Sequence, residues 1–113
     1  MPAVPGPVKV PKLVRDNMVE IWAKYEDKVE YRILSEYEMK AATLEKLVEE
    51  ANEAKENPSA EEFADVWEVF MAAVGVHGYS QQDIAETVRK KRLDRGGFHK
   101  GIYLTKFEWG PKR

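Results

Sequence analysis

LEKLVEEANEAKENPSAEEFADVWEV, residues 44–69, decides the fold. Asn57-Pro58 in its middle ends any helix that reaches it, since proline has no N–H and drives the residue before it out of helical backbone. On both sides apolar residues recur at helical spacing. Ser35 with Glu38, and Ser59 with Glu62, have the serine-to-glutamate spacing of a capping box. One helix is therefore expected from Glu36 to about Glu56. A second is expected from just after Ser59 to about His77, with Gly78 placed to end it. Two amphipathic helices joined by so short a turn make an antiparallel hairpin. Tyr37, Ala41, Leu44, Val48 and Ala51 form the expected buried stripe of the first helix; Phe63, Val66, Trp67, Phe70, Ala73 and Val74 form that of the second.

Carboxylates border those stripes. Glu50 and Glu53 are three residues apart, as are Glu62 and Asp65, and residues so spaced share a helix face. In an antiparallel hairpin turning about Pro58, Glu53 comes level with Glu62 and Glu50 with Asp65. Four acids converging beside a core repel one another at low effective dielectric. Either some of them hold protons, or a hard divalent cation neutralises them. An all-oxygen set with no cysteine selects magnesium or manganese over zinc. The alternative, that both helices rotate and leave the acids in water, stays open at this stage. So does a purely local role for Glu62 in its capping box. Lys46, four residues before Glu50, is expected to pair with it, and Glu49 to lie at the surface or support the site.

Outward from the hairpin, Met18, Ile21, Trp22 and Tyr25 mark a shorter helix, and Ser80 with Asp83 opens another that ends at Gly96-Gly97. Lys28–Leu34 and Gly101–Trp109 alternate apolar and polar residues, so a small two-stranded β element is expected. Prolines at 2, 5, 7 and 11 make residues 1–11 a flexible arm, leaving 12–113 as one domain. The expected fold class is all-α, an antiparallel helix bundle with that small β element. Three amphipathic helices in a 113-residue chain leave apolar area to cover, which points to a homodimer or homotetramer.

Composition narrows the chemistry. With no cysteine there are no disulfides, thiolate metal sites or cysteine nucleophiles. Eighteen basic and twenty acidic side chains nearly balance, so no polymeric nucleic acid partner is expected. No apolar run is long enough to span a bilayer and no signal-peptide pattern is present, so the expectation is a soluble cytoplasmic protein without a membrane partner. There is no P-loop, nucleophile elbow, HExxH or EF-hand spacing. His77 sits at a helix end and His99 stands alone. Lys90, Lys91, Arg92 and Arg95 precede Gly96-Gly97. Part of that charge suits a helix C-terminus, and the rest suits a grip on phosphate.

KLVRD (12–16), LVEEANE (47–53), EEFADVWEV (61–69) and KKRLDRGGF (90–98) occur here in the order found in the MazG-like all-α nucleoside triphosphate pyrophosphohydrolases, the superfamily that also holds phosphoribosyl-ATP pyrophosphohydrolase and dimeric dUTPases. The chain resembles that superfamily over residues 12–104. Asn17 departs from it, standing where many relatives have lysine. The resemblance implies magnesium-dependent cleavage between the α and β phosphates, giving a nucleoside monophosphate and pyrophosphate. It places Glu50, Glu53, Glu62 and Asp65 at metal-ligand positions, with manganese as a substitute ion. It gives Glu49, Glu50 and Glu53 catalytic roles and makes Arg15, Lys91, Arg92 and Arg95 the cations that meet the phosphates. It also implies dimers or tetramers that complete a four-helix bundle around each site. Phosphoribosyl-ATP hydrolysis in histidine synthesis is the alternative within the superfamily, and a catalytically silent helical interaction module is the alternative outside it.

Overall fold

The computed structural model describes residues 9–113, and the proline-rich arm expected over 1–11 lies outside them as far as residue 8. Among the described residues four helices form: α1 (Met18–Lys24), α2 (Glu36–Glu56), α3 (Ala60–Val76) and α4 (Gln81–Arg95). Among the described residues no helix is long and apolar enough to cross a membrane. Internal packing divides the chain into two units, Met1–Gln81 and Gln82–Arg113.

In the first unit α2 packs against α3. Both helices begin where the serines predict. The Ser35 hydroxyl accepts from the Glu38 N–H, and Glu38 Oε1 accepts from the Ser35 N–H, each at 3.1 Å, closing a full capping box. Arg32 adds a fork onto the same carboxylate at 3.1 and 2.7 Å. These bonds, first that from Arg32 and then that from Ser35, hold the Glu38 carboxyl down to about 2. The second box is only half made. Ser59 accepts from the Glu62 N–H at 3.2 Å, but its own N–H goes to the Asn57 carbonyl at 2.8 Å. The Glu62 side chain is thereby left for another use. α3 ends in a Schellman motif: the Gly78 N–H bonds to Gly75 O and the Tyr79 N–H to Val74 O, with Gly78 at φ +87°.

The seam between α2 and α3 is built from small residues. Thr43 is completely buried, its hydroxyl donating to Met39 O at 2.8 Å, and Ala54, Val69, Ala73 and Val74 complete the buried set. This corrects the phase expected for α2. Its Tyr37–Leu44–Val48 stripe is exposed, and the seam runs one residue round the helix, through Thr43 and Glu50. On α3, Ala73 and Val74 are buried as expected, whereas Phe63 (59% exposed) and Trp67 (60%) are not. Small side chains let two backbones approach closely, so they win the contact and the bulky stripe is displaced to the flank.

The β element is also corrected. Among the described residues there is no strand: Lys28–Leu34 and Gly101–Trp109 carry no ladder, and Tyr31, Ile33, Ile102 and Tyr103 are exposed. Alternation supplies a face for a strand but not the neighbour whose backbone it needs. The bundle is realised as the α2/α3 hairpin. In the second unit α4 buries no residue, and Gly96 at φ +82° ends it, with its N–H on Arg92 O at 2.8 Å.

Ser35→Ala is expected to cost ~1 kcal/mol of stability. The depressed Glu38 carboxyl gives a sign as well: its contribution is present above its ordinary value near 4.5 and is lost as pH falls towards 2. Melting curves of Glu38→Gln and the natural chain should therefore differ at neutral pH and converge in acid.

Candidate metal centre

The register that places the site comes from the turn. The reversal centres between Asn57 and Pro58, so residues equally far from that point on α2 and α3, Glu53 with Glu62 and Glu50 with Asp65, come level and the acidic pairs meet. Carboxylate oxygens of Glu50, Glu62 and Asp65 lie within 4.8 Å of one another. Around an octahedral magnesium, at ~2.1 Å from each oxygen, neighbouring ligands are about 3.0 Å apart and opposite ones about 4.2 Å, so three oxygens gathered this closely need only draw inward to share an ion.

Glu50 is the least comfortable member. It is 8% exposed, and its Oε2 is buried without a hydrogen-bond partner, as is Oε2 of Glu62. A buried, unpaired carboxylate oxygen is costly unless something positive faces it. Its other oxygen is served by Lys46 Nζ at 3.2 Å, and that ammonium also lies 3.2 Å from Glu49 Oε1. Lys12 Nζ approaches the same Glu49 oxygen at 3.2 Å, and Arg15 Nη2 meets Asp65 Oδ1 at 2.6 Å. Burial works against the Glu49 charge, but the hydrogen bonds and charges of Lys46 and Lys12 outweigh it and hold that carboxyl below its usual range. Lys46 is raised in turn, Glu49 and Glu50 prevailing over its burial.

Glu53 lies at the rim. Its carboxyl is pushed up to about 7, first by the hydrogen bond a proton on it makes to Glu50, then by burial and by repulsion from Glu50, Glu62 and Glu49. Five carboxylates therefore meet three cations here. Fully ionised they exceed the cations by two charges, and the excess is met either by a proton on Glu53 in part or by a divalent ion in full. The donors are all oxygen and one oxygen on each of Glu50 and Glu62 is unserved, so these residues fit a hard cation.

The four acids read from spacing are brought together: three as a potential ligand trio, and Glu53 beside Glu50. The expected Lys46–Glu50 pair forms. Arg15 is on Asp65, and Lys12 joins the cluster without any sequence signal for it, because nothing local in KLVRD shows where a residue 37 positions from Glu49 will land. Lys91, Arg92 and Arg95 belong to the second unit, where all three are exposed on α4 and Arg95 Nε lies 3.6 Å from Asp94 Oδ2. His77 Nδ1 lies 2.7 Å from Ala73 O, a helix-end role, and His99 is exposed.

Among the described residues, fold and site define an all-helical protein whose α2/α3 hairpin gathers three acidic residues that could hold a metal ion. Comparison with protein-family models, curated proteins and solved structures finds no match.

An acid raised on folding contributes stability that is full below its ordinary value, near 4.5, and lost as pH rises through about 7. Without metal, the melting temperature of the natural chain should fall across that interval relative to Glu53→Gln. Saturating magnesium should raise Tm at pH 8 and shrink the difference, because an ion that binds only the folded state stabilises it.

Proposed function

We propose that the protein is a magnesium-dependent nucleotide pyrophosphohydrolase of the MazG-like kind, cleaving between the α and β phosphates of nucleoside triphosphates, modified ones included. The observation that carries this is the convergence of Glu50, Glu62 and Asp65, whose carboxylate oxygens lie within 4.8 Å of one another, with one buried oxygen on each of Glu50 and Glu62 lacking a hydrogen-bond partner. A buried carboxylate oxygen without a partner is costly, and a bound cation would remove that cost.

Glu50, Glu62 and Asp65 would hold the ion, with manganese as a substitute. When bound, it supplies charge neutralisation for the polyphosphate and an acidified water as nucleophile. Glu53, raised to about 7, is matched to accept a proton near neutral pH. Glu49, fixed by Lys12 and Lys46, orients its neighbours and does not itself ligate. The distribution of charge supports a metal–polyphosphate substrate. Residues 1–81 hold sixteen acidic and nine basic side chains, and residues 82–113 hold four acidic and nine basic. Lys91, Arg92 and Arg95 are the cations assigned to the departing pyrophosphate.

Self-association into a dimer or tetramer belongs to the same proposal. Tyr37, Leu44 and Val48 on α2, and Phe63 and Trp67 on α3, are apolar surface that a second hairpin would cover to complete a four-helix bundle. Sedimentation should then give an assembly larger than 13.0 kDa.

The test is a product assay over a panel of canonical and damaged nucleoside triphosphates and phosphoribosyl-ATP, with and without magnesium. Nucleoside monophosphate and pyrophosphate, formed only with the ion, are expected. Glu50→Gln should lower kcat by at least ~100-fold, the scale of losing one electrostatic element of a catalytic site. Arg95→Ala should lower turnover far more than Tm. Preference for phosphoribosyl-ATP would move the assignment to that enzyme. No phosphate product from any substrate, with Tm indifferent to magnesium, would leave a silent helical module.

A further inference from the structure

Two ion pairs tie the segment ahead of α1 to the acidic cluster. Arg15 Nη2 sits 2.6 Å from Asp65 Oδ1, across fifty residues of chain, and Lys12 Nζ sits 3.2 Å from Glu49 Oε1. Asp65 is thus claimed twice, as Arg15's acceptor and as one of the three acids that converge. The two claims differ in depth. The Arg15–Asp65 pair is half-exposed, its side chains 56% and 38% accessible, whereas Glu50 is more than nine-tenths buried with Oε2 unserved. An exposed pair holds weakly, because water and salt screen it. A doubly charged ion seated among Glu50, Glu62 and Asp65 would attract Asp65 more strongly and repel the guanidinium beside it.

We infer that residues 12–15 form a strap that stands in for the metal and is displaced when the metal binds, freeing Arg15 for a phosphate group. Arginine suits this role for a specific reason. Its charge is permanent, so the guanidinium itself stays a cation at every working pH and competes with a metal ion for the same carboxylate. Residues 12–15 belong to no helix, and among the described residues their backbone tie to α1 is the Met18 N–H on Arg15 O at 3.1 Å, so the strap is held by its two ion pairs and the half-buried Leu13 and Val14. Displacement by the ion stands on the geometry of the cluster. The second destination of Arg15, a phosphate, rests on the proposed function.

The experiment uses the full chain, manganese ion alone, and then manganese with inorganic pyrophosphate. Affinity is read by calorimetry and strap opening by the rate of tryptic cleavage after Lys12. In the natural chain manganese should speed that cleavage several-fold. Arg15→Gln should be cleaved quickly without any ion and should bind manganese roughly two- to fivefold more tightly, the scale of one exposed ion pair. Arg15→Lys, which keeps the charge, should stay near the natural affinity. Lys12 must remain for cleavage, so if Arg15→Gln fails to fold by circular dichroism, Asp65→Asn serves in its place: it too should be cleaved quickly without ion, and manganese should not speed it further. Equal or weaker manganese affinity in a folded Arg15→Gln, or cleavage that ignores the ion, overturns the strap while leaving the metal site standing. Manganese bound by no variant and not by the natural chain overturns both. Added pyrophosphate should slow cleavage again in the natural chain and not in Arg15→Gln; no protection in either removes the phosphate role.

Discussion

Everything distinctive about this molecule follows from a carboxylate placed where a methyl group would ordinarily sit. Glu50 occupies the seam between α2 and α3, in line with Thr43 and Ala54, and faces Glu62 and Asp65 across the hairpin. Helix pairing and charge repulsion therefore act on the same few residues. The apolar seam is thin, two alanines and two valines, so it cannot bury several acids without compensation. Lys46, Lys12 and Arg15 supply part of it, and the shared proton at Glu53 part of the rest.

Capping and clustering are linked in the same way. A complete box at Ser59 would occupy the Glu62 carboxylate locally, as Glu38 is occupied at Ser35. The Ser59 N–H turns to Asn57 instead, and the half-made cap leaves Glu62 directed at the site. One backbone hydrogen bond in a three-residue turn thus separates a glutamate that starts a helix from a glutamate available to a cation.

Much of this was legible in the chain, and the reason is locality. Caps, the Asn57-Pro58 stop and Gly78 are short-range devices, so α2 and α3 fall where Ser35, Ser59 and Pro58 place them. The meeting of Glu50 and Glu53 with Glu62 and Asp65 follows from the same turn, since a hairpin's register is fixed by its loop. What failed was phase and partnership. Periodicity marked Leu44 and Val48 as the α2 contact face, but close approach favours small side chains, and Thr43 beats Leu44 for the seam. The two alternating segments lacked any signal of what they would pair with, and neither became a strand. Lys12 and Arg15 reach the cluster by tertiary folding alone, which no spacing rule encodes.

The most direct measurement is anomalous diffraction from crystals of the full chain grown with manganese. A manganese peak bonded to oxygens of Glu50, Glu62 and Asp65 is the predicted result. Crystals in which those three side chains bind only water, Lys46 or Arg15, with the manganese signal elsewhere or missing at saturating ion, would overturn it.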